Sequence, residues 1–200
     1  MRRALPALSA LWSILAFAEA GAQQVDDLGR WHAGGYSYSD ELGGFSIIGI
    51  AGIGTAEDPV VLSQELFSAS PAVLVIRAEK PIHAYGKTGD FANGIIHVRI
   101  VTLNNSGLPW IEFEFELQER RGVPSTFGDG LSFDQRRIES ANISSDKYPV
   151  YYRDYEPYDR LIFKEGHTDP RESARFDFLI TDFTPRWEFF LVQDPTLPFS

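Results

Sequence analysis

The chain has 200 residues, a formal net charge of −10 at pH 7 and no cysteine. The acidic balance argues against nucleic acid and against anionic membrane surfaces, whose phosphates would be repelled, and the missing thiols exclude disulfides and any lipid carried on an N-terminal cysteine. The length suits one domain large enough to bury a core without covalent staples.

Residues 1–22 read as a secretory signal peptide. Met1-Arg2-Arg3 is basic, Ala4 to Phe17 runs almost entirely apolar, and Ala20-Gly21-Ala22 closes with small residues in an A-x-A pattern. The apolar stretch is shorter than the ~20 residues that span a bilayer, so cleavage is expected rather than a retained anchor. The protein is expected to be periplasmic or secreted after cleavage near Ala22. A cysteine-free exported chain fits a bacterial envelope better than a eukaryotic secretory route, where small domains depend on disulfides. Mass spectrometry of the extracytoplasmic fraction should find Gln23 at or near the N-terminus; intact Met1 to Ala22 on membrane-bound protein would refute cleavage.

Residues 23–44 are polar and glycine-rich and read as a flexible lead-in that docks through Trp31, Tyr36 and Tyr38. From residue 45 to 200 a single β-sandwich domain is expected. Short runs rich in Val, Ile and Phe, bounded by turn residues, predict strands at 45–50, 59–62, 72–79, 94–103, 110–118, 160–163, 174–181 and 187–193. Gly49, Gly52 and Gly54 are spaced wrongly for a phosphate loop and no helix follows them, so they read as a bulge or bend in a strand.

Two strands carry the clearest periodicity. In 110–118, Ile111, Phe113, Phe115 and Leu117 alternate with Glu112, Glu114, Glu116 and Gln118. In 94–103, Ile96, Val98 and Ile100 alternate with His97 and Arg99. Each pattern means one dry and one wet face. Leu103 to Pro109 looks like a hairpin loop, so these two strands are expected to pair antiparallel, Val98 beside Phe113. Helical periodicity is confined to about two turns at 134–140, with Asp134 as N-cap. The fold class is therefore all-β: an antiparallel sandwich, jelly-roll or immunoglobulin-like, with at most one or two short helices.

No catalytic residue can be named from the sequence. G-x-S-x-G is absent, Ser144 to Lys147 matches S-x-x-K only as letters in a turn-like context, and His32, His83, His97 and His167 lack zinc-ligand spacing. The segment most suggestive of a ligand is 146–163, which holds Tyr148, Tyr151, Tyr152, Tyr155 and Tyr158 among Asp146, Asp154, Glu156 and Asp159. Exposed tyrosines present flat apolar faces that stack on sugar rings, with polar tips for sugar hydroxyls; buried, the same rings would pin a loop. Asp154, Glu156 and Asp159 are also a candidate oxygen set for Ca²⁺. Two functions are expected to compete: a non-catalytic module, structural or binding a glycan or protein partner, and a secreted polysaccharide hydrolase working through paired carboxylates.

Overall fold

The computed structural model describes residues 25–136 and 141–198. The expected signal peptide lies outside the described residues, as do positions 137–140 of the expected short helix; the one helical turn among the described residues is a 3₁₀ turn at Phe127–Asp129. Among the described residues thirteen strands build two packed sheets, an all-β sandwich. They are β1 (Trp31–Ala33), β2 (Tyr36–Ser39), β3 (Phe45–Ala51), β4 (Val60–Leu66), β5 (Ala72–Ala78), β6 (Ile95–Asn104), β7 (Glu112–Gln118), β8 (Leu131–Phe133), β9 (Ser144–Ser145), β10 (Val150–Asp154), β11 (Arg160–Lys164), β12 (Ser173–Asp182) and β13 (Glu188–Thr196). One sheet has the order β1-β2-β5-β13-β7-β11-β10; the other runs β3-β4-β6-β12-β8, with β9 also pairing β12.

Each expected strand is present within a few residues of its predicted limits. The faces also follow the alternation: Ile96, Val98, Ile100, Phe113, Phe115 and Leu117 are all buried. The expected pairing of 94–103 with 110–118 does not occur. β6 lies between β4 and β12 in one sheet, whereas β7 lies between β13 and β11 in the other. Alternation identifies a dry face but not the strand beside it, and both dry faces here meet across the sandwich instead of lying side by side. The connection is shaped to cross. The Asn104 side-chain amide donates to the carbonyls of Leu108 and Thr168 at 2.8 and 3.0 Å, and Trp110 and Thr168 exchange backbone hydrogen bonds of 3.0 and 2.9 Å. These bonds tie the turn to the segment before β12.

β4 and β6 run parallel without an intervening helix. The sandwich makes this workable, because β5 between them in sequence belongs to the opposite sheet and supplies the return path. The lead-in reading of residues 23–44 is corrected over its second half: β1 and β2 are paired strands, and Tyr36 and Tyr38 are buried, since aromatic area of that size gains more from the core than from water. The glycine run behaves as a bend. Register shifts between Ile47 and Gly49, and at Gly52 (φ 91°) a Cβ would lie 1.9 Å from the Pro59 carbonyl oxygen.

The core is aromatic at its centre and contains one polar clasp between the sheets. Phe176 of β12 packs its ring against Phe113 and Phe115 of β7 and Phe163 of β11. Toward the other end, Gln64 of β4 donates to Gln193 of β13 at 2.5 Å and to Thr102 of β6 at 2.8 Å, and Gln193 donates back at 3.1 Å. Fully buried amides satisfied in this way lock the two sheets in one relative position, because any slide leaves them unpaired.

Candidate functional site

The tyrosine segment is divided by strand geometry. Tyr148 is buried; its ring stacks on Phe176 at 5.7 Å and its hydroxyl lies 3.0 Å from Thr168 Oγ1. Desolvation pushes this phenol up to about 12. Residues 150–154, expected in a loop, form edge strand β10 against β11. Tyr151 shares a row with Phe163 and turns inward onto the core. Tyr152 is the next residue, so it turns outward and is 53% exposed. Tyr158, in the turn before β11, is 39% exposed. Tyr155 is half-buried under the Arg153 guanidinium, 4.6 Å from its ring centre. Tyr148 and Tyr151 are thus pins, and the five rings do not form one platform. Tyr152 and Tyr158 remain as accessible faces.

Those two rings border the outward face of the seven-stranded sheet. Tyr152, Ile162, Glu114 and Asp194 make one cross-strand row over β10, β11, β7 and β13; Asp154, Arg160, Glu116 and Val192 make the next. Arg160 occupies the centre. Its Nε lies 2.9 Å from Glu116 and 3.2 Å from Glu114, and its guanidinium covers the Tyr158 ring at 4.3 Å. Lys164 Nζ is 3.1 Å from Glu112 and 5.9 Å from the Tyr152 ring centre. Each of these two rings therefore has a cation over it that is itself paired with carboxylates. Carboxylates outnumber cations on this face. Burial is the main cause that raises the Glu114 and Asp194 carboxyls above their ordinary range, Arg160 opposing; Asp194 and Glu116 raise Glu114 further, and Glu116 raises Asp194. Such a surface accepts hydroxyl donors and disfavours anions.

Sequence reasoning found Tyr152 and Tyr158 but missed Arg160, Ile162, Lys164 and Asp194. The alternation of Arg160 to Lys164 was visible as a strand. That this strand would lie beside the glutamates of β7 was not, because the pairing spans more than forty residues of sequence.

The expected calcium ligands do not converge. Asp154 faces outward opposite Arg160, Glu156 is exposed in the turn, and Asp159 is fully buried facing β8. Among the described residues no group of three or more His, Asp or Glu side chains is arranged to hold a metal ion. Asp159 is instead a single buried carboxyl facing Ser132 and Phe133. Desolvation pushes it up to about 7, while the Ser132 hydroxyl and the Phe133 N–H oppose the rise.

No family model matches this chain, and the comparisons with curated proteins and with solved structures likewise give no match.

Proposed function

We propose that this protein is an exported, non-catalytic β-sandwich module that binds neutral glycans on the outward face of its seven-stranded sheet. The observation that carries the reading is the pair of exposed rings, Tyr152 and Tyr158, flanking a row of carboxylates and cations on one paired-strand surface. Rings stack on the apolar faces of sugars while Glu112, Glu114 and Asp154 accept from sugar hydroxyls. The surplus of carboxylates selects against uronates and sulfated sugars at this face. Export rests on the residue pattern of 1–22.

A glycan array followed by calorimetry tests it. Tyr152→Ala and Tyr158→Ala are each expected to weaken binding of a neutral oligosaccharide by about two- to tenfold, with unfolding free energy changed by no more than about 0.5 kcal/mol. An array without neutral hits, or variants that bind like the parent chain, would reject it. The hydrolase reading has one observation in its favour: Glu114 and Asp194 stand directly opposite on neighbouring strands. Release of shortened oligosaccharide from a bound glycan, abolished in Glu114→Gln, would replace the binding reading with that one.

A further inference from the structure

The other sheet has its own outward feature, built around two arginines. A cavity of about 300 Å³ opens over β6 and β12, lined among others by His97, Arg99, Asn142, Ser144, Arg175 and Asp177. Pairing brings these groups together from three strands and the turn before β9. Arg99 of β6 and Ser144 of β9 are both register partners of Asp177 on β12, so the three share one outward row, and Arg175 lies two residues from Asp177 on the same face.

Asp177 organises the two arginines. Arg99 Nε donates to Asp177 Oδ1 at 2.6 Å, and Arg175 Nε lies 3.2 Å from Oδ2. Both guanidiniums are thus held through Nε, and their terminal nitrogens make no hydrogen bond among the described residues. A guanidinium has five N–H donors in a planar fork, so most of the donors of both side chains are left for a ligand. The Ser144 hydroxyl stands in the same row. Further charges lie close by: Asp146 accepts the Arg175 backbone N–H at 2.8 Å, Asp134 accepts from Asn142 at 3.0 Å and lies 3.8 Å from Arg136, and Glu57 acts on His97 together with Asp134 and Arg136. Among the residues that line the cavity, two arginines stand against one carboxylate.

We propose that this cavity is an oxyanion-binding site, in which a carboxylate, sulfate or phosphate group is held between the terminal nitrogens of Arg99 and Arg175, with Ser144 as a further donor. The volume is at the small end for ligand sites and suits an inorganic oxyanion or a single acidic sugar unit. The site lies on the sheet opposite the tyrosine face and is independent of the neutral-glycan reading.

The test is titration of the purified chain at constant ionic strength with sulfate, phosphate and glucuronate, and with glucose as the uncharged control, followed by amide chemical shifts and calorimetry. Saturable binding of at least one oxyanion is expected, with shifts at residues 97–99, 142–144 and 175–177 and none from glucose. Arg99→Gln and Arg175→Gln should each weaken it at least tenfold. Arg99→Lys keeps the charge but loses the fork, and should also weaken binding while leaving the melting temperature within a few degrees. Tyr152→Ala should bind the oxyanion like the parent chain. Tighter glucuronate than either inorganic ion identifies an acidic-sugar site; the reverse order identifies a small-ion site. No saturable shift with any of the three anions, or unchanged affinity in both Gln variants, would overturn the proposal.

Discussion

Phe176→Ala should lower the free energy of unfolding by roughly 3–5 kcal/mol, the range for removing a fully buried phenyl ring. Phe176 projects from β12, and its ring centre lies 4.7 Å from that of Phe113, 4.9 Å from Phe163, 5.2 Å from Phe115 and 5.7 Å from Tyr148. Its neighbours belong to the opposite sheet and to the segment before β10. The resulting cavity is walled by two sheets whose separation is held elsewhere by the Gln64–Gln193 clasp, so collapse is limited. Such a loss is a large share of the ~5–15 kcal/mol that domains typically possess. Urea midpoints at unchanged slope measure it. Exposed Ser173→Ala on the same strand should stay within about 0.5 kcal/mol. Equal costs would contradict this packing of the two sheets.

The second large effect is expected from pH. Asp159 is fully buried at the start of β11, with its backbone bonded to Ser125 and Leu117 and its carboxyl facing Ser132 and Phe133. Burial raises the folded-state value to about 7 from 3.8, with Asp129 adding to the rise and Arg153 opposing it. The folded chain therefore keeps a proton that the unfolded chain releases between those values. Because the folded state binds more protons there, stability falls as pH rises from about 4 to about 7 and levels off above. At about 1.4 kcal/mol per pH unit over the window, the fall attributable to this group is roughly 2–4 kcal/mol. Glu114, Glu119, Asp182 and Asp194 are raised by burial too and tilt the profile the same way. Asp159→Asn isolates the contribution. Denaturant titrations at pH 4.5, 6 and 8 should show a steeper decline in the parent chain than in the variant. Parallel profiles would mean that Asp159 is not held protonated by burial.

Legibility differed by element. The strands with strong alternation, Ile96 to Ile100 and Ile111 to Gln118, were readable together with their dry faces. β1, β2, β8, β9 and β10 were not, because they are short, lie at or near sheet edges, and contain residues such as Ser, Tyr and Arg that serve equally well in loops. The tyrosine segment shows the same division. Its composition marked 146–163 as distinctive, but parity within β10 decided that Tyr151 goes in and Tyr152 out, and a core vacancy beside Phe176 decided that Tyr148 is buried.

The all-β class and the buried faces of β6 and β7 were determined by the sequence by itself, since period-2 hydrophobicity is a local property of a pleated strand. Partnership was decided only by the tertiary structure: β6 and β7, neighbours in sequence, lie in opposite sheets, and β4 and β6 pair directly in parallel although β5 separates them in sequence. The same holds for both candidate binding surfaces. Glu114 meets Asp194 and Arg160, and Arg99 meets Asp177 and Ser144, through pairings that join distant parts of the chain. Hydrogen bonds between backbones carry no side-chain identity, so these juxtapositions follow from which strands pair within each sheet and in what register.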